Sequence, residues 1–309
     1  MSNNNTICNR RFWAITCFEY CYLLNLESNN QPVEMLYFSS FFSLGYLCEE
    51  MTTTKNFMQN YDNIGRLQHI GNRIGYLRFR EKNMDFAQMV DYCREVAAFP
   101  PIVKINPKEF DFYNVNNTYL KMNNNHLVLL KSIIDKKVVF YDTFLKREVT
   151  VSVETFRCGY DNRFYDSYDT RNDNETLQFF VTRCLEEWKH HIEMCIVNDG
   201  SLLGKQIGML LENADNAIYI REAILLSKIL NNRAIEFISF IDTYLVEVDL
   251  NGLIGLLQDK LTLLNKLYFK FEYHRRKKVY LNELCSIMED IATTEKRIYK
   301  LLSIMVHKF

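Results

Sequence analysis

The chain has 309 residues, 48% of them hydrophobic, with a formal charge of −1, 10 glycines and 4 prolines. That is enough apolar material for cores in about two domains of roughly 150 residues each, and too little glycine and proline for turn-dense β architectures or disordered tails. The near-neutral charge excludes a general pull toward nucleic acid or an anionic membrane.

Taken in order, Thr16 or Cys17 opens a helix running to about Leu26, with Tyr20, Leu23 and Leu24 on its apolar side. Met35 to Leu47 is strongly apolar and aromatic, with Gly45 as a turn or close-approach position. Phe86, Met89, Val90, Cys93 and Val96 recur at helical spacing and predict a helix over 84–97, which Phe99-Pro100-Pro101 stops. Ile102 to Ile105 reads as a short strand and Asn106-Pro107 as a turn. Two apolar runs, Asn125 to Leu130 and Val138 to Asp142, flank Ser132 to Lys137 and predict a β-hairpin. Lys146 to Glu148 reads as a second turn and Val149 to Val153 as another strand.

Gly159 to Asn174 is polar, aromatic and rich in Asp and Asn, and the domain boundary is expected there. Residues 1–165 then form an α+β domain with segregated elements. Residues 175–309 are helical in period, with helices expected over 177–197, 201–213, 217–230, 234–247, 253–273 and 282–306, packed as an antiparallel bundle. Leu257, Leu261, Leu264, Tyr268 and Phe271 form a stripe of the kind that builds a core.

No apolar run reaches the ~18–20 residues of a membrane span. The start, Met1 to Thr6, lacks the charged and apolar regions of a secretory leader. A soluble cytoplasmic protein is expected. The nine cysteines are odd in number, irregular in spacing and without a Cys-x-x-Cys, so a disulfide framework or zinc ribbon is not expected. Most read as small buried hydrophobes. Cys17, Cys21, His190, His191 and Cys195 fit no established ligand spacing, and neither a metal nor another cofactor is expected.

His126 and Asp142 are sixteen residues apart and equidistant from Ile134. A turn centred there sets them roughly opposite each other on one face. Imidazole beside carboxylate is the base half of a nucleophilic site, and Cys17 at a helix start supplies the other half. Unpaired N–H groups, the helix dipole and a neighbouring imidazole are expected to lower its thiol pKa. Cys21 lies one turn further along the same face and is the alternative nucleophile. Glu19 is either a neighbour of the site or a first-turn acid that suits the dipole. Arg275 to Lys278 is either a docking patch for an acidic carrier protein or a solvated helix end.

These residues also carry a resemblance. Cys17-Phe-Glu19-Tyr-Cys-Tyr-Leu-Leu24, Phe41-Phe-Ser-Leu-Gly45-Tyr46, Pro100-Pro-Ile-Val103, Asn125-His126-Leu-Val-Leu-Leu and Val138-Val-Phe-Tyr-Asp142 resemble the N-terminal domain of the butirosin biosynthesis protein H family. That family is similar in turn to C39-type, papain-fold cysteine peptidases. The resemblance covers about residues 8–157 and is strongest in the His126 and Asp142 hairpin. It implies a papain-like domain with Cys17 as nucleophile, His126 as general acid and base, and Asp142 as orienting carboxylate.

It further implies an acyltransferase of thiotemplated antibiotic or other secondary-metabolite biosynthesis. Such an enzyme takes an acyl group from a carrier-protein thioester and passes it to a small-molecule amine, forming an amide. A C39-like cysteine peptidase and a non-catalytic papain-like binding module are the alternatives. The chain departs from the papain pattern at one position: Arg11 stands where a glutamine would donate to the oxyanion. Backbone N–H groups, Arg11 or Asn9 take that role, or the protein is not catalytic.

Overall fold

The computed structural model describes residues 13–28, 31–56, 67–75, 78–95, 100–113, 125–168, 177–197, 216–245, 250–277 and 281–306. In chain order the elements are α1 (Cys17–Ser28), α2 (Leu44–Thr54), α3 (Leu67–Ile74), β1 (Arg78–Asn83), α4 (Phe86–Glu95), β2 (Ile102–Ile105), β3 (His126–Ile134), β4 (Lys137–Asp142), β5 (Arg147–Ser152), α5 (Val153–Gly159), β6 (Tyr160–Tyr168), α6 (Leu177–Val197), α7 (Ala217–Ile241), α8 (Asn251–Lys277) and α9 (Leu281–Val306). Short 3-10 turns occupy Val33–Tyr37, Pro107–Glu109 and Asp111–Tyr113. Among the described residues no helix is long and apolar enough to cross a membrane.

The chain divides into two compact units, one of residues 1–33 and 71–175, the other of residues 34–70 and 176–309. Texture alone puts all of 1–165 in the first domain, but 34–70 belongs with the helices. Its Met35, Leu36, Tyr37 and Phe38 are fully buried, and an apolar run of that kind fits a helical core as well as a mixed one. Gly45, expected at a turn or a close approach, is the second residue of α2 rather than part of a turn.

The first unit is built on one antiparallel six-stranded sheet in the order β1-β6-β2-β3-β4-β5. Two of its strands were not expected. β6 occupies much of the segment read as a polar boundary, yet it sits in the sheet between β1 and β2. Its buried side is Tyr160, Phe164 and Asp166. The Asp166 carboxylate accepts from the Tyr92 hydroxyl at 2.5 Å, which satisfies a polar group that otherwise opposes burial. β1 is a charged edge strand, Arg78-Phe-Arg-Glu-Lys-Asn83, a composition that blunts sheet edges and hides the strand signal.

One face of the sheet carries the core. Val103, Ile105, Val128, Leu130, Val138, Phe140, Val149 and Phe164 pack with Phe86, Met89 and Val90 of α4, Phe110 and Tyr113 of the 3-10 turns, and Phe156 of α5. α1 is latched to β3 and the start of β2 by residues one helical turn apart. Cys21 Sγ donates to the Leu127 carbonyl at 3.8 Å, and Asn25 Nδ2 to the Pro100 carbonyl at 3.0 Å.

In the second unit the expected pair of helices over 217–230 and 234–247 is a single helix, α7. Asn231, a residue that favours breaks in isolation, is buried there, and its Nδ2 donates to the Leu257 carbonyl at 2.8 Å. α7 packs on α8 and α2, and α9 packs on α8 and α6. From the stripe, Leu257, Leu264 and Phe271 are buried as expected of a core. A buried ion pair, Lys260 Nζ to Glu295 Oε1 at 2.8 Å, also binds the carbonyl of Phe42 and the N–H of Leu44. The helix expected over 201–213 lies outside the described residues.

Candidate active site

Helix α1 starts at Cys17 because Thr16 and Glu19 cap it. The Thr16 hydroxyl accepts from the Glu19 N–H at 3.1 Å, and the Glu19 carboxylate reaches back to the Ile15 N–H at 2.8 Å. This is a variant of the capping box, one residue displaced on the return bond. Glu19 therefore has a structural duty: it is fully buried and fixes where the helix begins.

The histidine and aspartate come from the hairpin of β3 and β4. Asp135 and Lys136 both have positive φ (49° and 62°), the signature of a two-residue type I′ turn. Ile134 pairs with Lys137 across it. A regular ladder from that turn would put Asp142 on the face opposite His126. An irregularity between Leu130 and Ser132 shifts the register, so that Leu129 faces Tyr141. Lys131 is the extra residue, and it returns His126 and Asp142 to one face. They are diagonal neighbours rather than directly opposite.

The two groups meet. His126 Nε2 is 3.1 Å from Asp142 Oδ2; His126 is 3% exposed and Asp142 fully buried. Oδ1 of Asp142 accepts the N–H groups of Phe144 and Leu145 at 2.8 and 2.7 Å. Oδ2 also accepts the Tyr113 hydroxyl, and the Tyr113 ring stands edge-on to the His126 ring at 5.9 Å. With a carboxylate as acceptor, Nε2 carries the hydrogen and Nδ1 the lone pair. Tyr113 gave no sequence signal, because it lies in a 3-10 turn with no periodicity.

Cys17 and His126 line one cleft of about 270 Å³, together with Ala14, Ile15, Thr16, Tyr20, Thr143 and Phe144. Cys17 is partly exposed, whereas Cys21 is fully buried with its thiol turned to the Leu127 carbonyl. Only the first of the two lines the cleft.

The electrostatics differ from expectation. Burial pushes the Cys17 thiol up, and it outweighs the N–H groups of Leu127, Phe18 and Cys17 itself that draw it down; the Asp142 charge adds to the rise. Burial brings His126 down to about 4. Asp142 is raised by burial, against the pull of the Leu145 and Phe144 N–H groups and of Arg147. The resting site therefore holds a neutral thiol and a neutral imidazole. A pre-formed thiolate, expected from the helix start, loses to desolvation.

Arg11 and Asn9, the candidate oxyanion side chains, lie outside the described residues. Among the described residues no group of three or more His, Cys, Asp or Glu gathers to hold a metal. In the basic cluster, Arg275 and Arg276 pair with Glu272 at 3.1 and 4.0 Å in the last turn of α8; Lys278 lies outside the described residues. Compared with known proteins, the chain matches no protein-family model and no curated protein.

Proposed function

We propose that the chain is a cysteine-dependent acyltransferase of papain-like fold that forms amide bonds. It would take an acyl group from a carrier-protein thioester and pass it to a small-molecule amine, as thiotemplated biosynthesis of antibiotics and other secondary metabolites requires. The observation that supports this reading is one cleft shared by Cys17, at the start of a helix, and a His126 ring bonded through Nε2 to buried Asp142. A nucleophile on a helix beside a His and Asp on an antiparallel sheet is the arrangement that the resemblance implies.

The chemistry follows from the neutral resting pair. As Cys17 Sγ bonds to the thioester carbonyl carbon, its proton passes to His126 Nδ1. Asp142 stabilises the imidazolium through Nε2–H and keeps the ring in the required tautomer. The carbonyl oxygen takes the negative charge until the carbon–sulfur bond to the carrier breaks. His126 returns the proton to the departing carrier thiolate, leaving acyl-Cys17. An amine then attacks the same carbon, His126 takes its proton, and the amide leaves as the proton returns to Cys17.

A hydrolytic reading, with water in place of the amine, uses the same groups. The raised Cys17 thiol favours a second reading, a papain-like binding module without catalysis. Incubation with an acyl-loaded carrier protein, followed by intact mass measurement, separates them. The acyltransferase gains the mass of one acyl group, Cys17→Ala gains none, and an added amine discharges the adduct as an amide. No adduct on the wild type, or an equal adduct on Cys17→Ala, overturns the proposal. Discharge only to the free acid identifies the hydrolase.

A further inference from the structure

Thr143 is buried to 7% exposure, and among the described residues its Oγ1 has no hydrogen-bond partner. Such a hydroxyl is unfavourable unless something uses it. It is not idle by position. Thr143 follows Asp142 directly and forms part of the wall of the cleft that holds Cys17 and His126. The two residues after it donate their N–H groups to Asp142 Oδ1, so the carboxylate that orients the imidazole also fixes the turn on which Thr143 sits. A single 120° step about χ1 carries the hydroxyl into the place now held by the methyl group, and the methyl into that of the Cβ hydrogen, without moving the backbone.

The proposed acyl transfer creates a need that this hydroxyl meets. When Cys17 Sγ bonds to a carbonyl carbon, the oxygen becomes an oxyanion and requires donors. The chain has arginine where the papain pattern has its donating glutamine. Of the other residues lining the cleft, Ala14, Ile15 and Phe144 have no side-chain donor, while the Thr16 hydroxyl accepts the Glu19 N–H and the Tyr20 hydroxyl is hydrogen-bonded to Tyr141, so that each already has a partner that Thr143 lacks among the described residues. We propose that the Thr143 hydroxyl donates a hydrogen bond to the acyl carbonyl oxygen of the substrate as Cys17 adds to it, which makes Thr143 a catalytic residue. The inference rests on the acyl-transfer reading above.

The test compares two reactions of the same sulfur. Acetyl-N-acetylcysteamine, a small thioester, acylates Cys17 through an oxyanion; iodoacetamide alkylates it by displacement at a CH₂ group and forms none. In Thr143→Val, which keeps the shape and removes the donor, acylation falls about 100-fold or more, while alkylation proceeds at the wild-type rate. Thr143→Ser retains acylation to within a few-fold. The melting temperature of Thr143→Val equals or exceeds that of the wild type, because the lost hydroxyl bonds none of the described residues in the free protein. Acylation of Thr143→Val at the wild-type rate overturns this inference alone, as does an equal fall in both reactions, which marks a displaced cysteine. A wild type that alkylates at Cys17 but never acylates overturns the acyl-transfer reading, and this inference with it.

Discussion

His126 and Cys17 are driven by the same burial toward their uncharged forms, and this has a consequence for stability. The His126 imidazole, ordinarily near 6.5, is brought down to about 4 in the folded chain. Between those values the unfolded chain binds a proton that the folded chain does not, so stability rises with pH across the window. The contribution is complete above about pH 6.5 and is lost as pH falls through about 4, amounting to about 3 kcal/mol at most. Asp142 acts in the opposite sense just above its ordinary value of 3.8, because its folded carboxyl is raised. Urea unfolding of the wild type and of His126→Asn at several pH values isolates the histidine. The wild type is expected to lose more stability than the variant on going from neutral to about pH 4.5; parallel curves would contradict a buried neutral imidazole. The pairing of His126 with Asp142 was legible in the sequence because both end apolar strand runs. The neutral state of the thiol was not, because desolvation depends on what covers a residue rather than on its neighbours in the chain.

The hairpin shows how an element can be legible while its register is not. The turn was visible in the polar stretch Ser132 to Lys137, and the structure places it at Asp135 and Lys136. Counting from that turn alone sends Asp142 to the wrong face; the correction is the extra residue Lys131, and no residue type announces a bulge. β6 was hidden for a related reason. Its Asp and Asn residues read as a linker, while the Tyr92 hydroxyl that lets Asp166 be buried comes from a distant helix. α5 packs on β4, β5 and the 3-10 turn at Pro107–Glu109. At its end, a Cβ on Gly159 would stand 2.3 Å from Phe110 Cε2, and Phe110 packs edge-on to Tyr113 at 6.0 Å. Gly159→Ala must displace a fully buried ring, and a loss of about 1–3 kcal/mol is expected from overpacking, read by urea unfolding at neutral pH. A change within experimental error would mean that Phe110 has room to move.

Over the whole molecule, long apolar periods carried the most information. α6 appears over the residues expected, and α8 and α9 close to them, since sustained 3.6-residue patterning admits few alternatives. The return of 34–70 to the helical unit was not legible, because buried apolar residues do not record which core they enter. The first unit gathers its cleft from three separated stretches, around Cys17, His126 and Asp142, with Tyr113 behind the carboxylate. The proposed acyl transfer requires a proton to pass from Cys17 to His126, and the pH dependence of Cys17 acylation by acetyl-N-acetylcysteamine measures that step. In the wild type the rate should rise with an acid limb near pH 4, where His126 loses its proton, and hold a plateau through neutrality. In His126→Ala it should be lower at pH 7 by about 100-fold or more and climb only in the alkaline range, as the thiol itself ionises. A His126→Ala variant that acylates as fast as the wild type at neutral pH, with the same profile, would contradict the account.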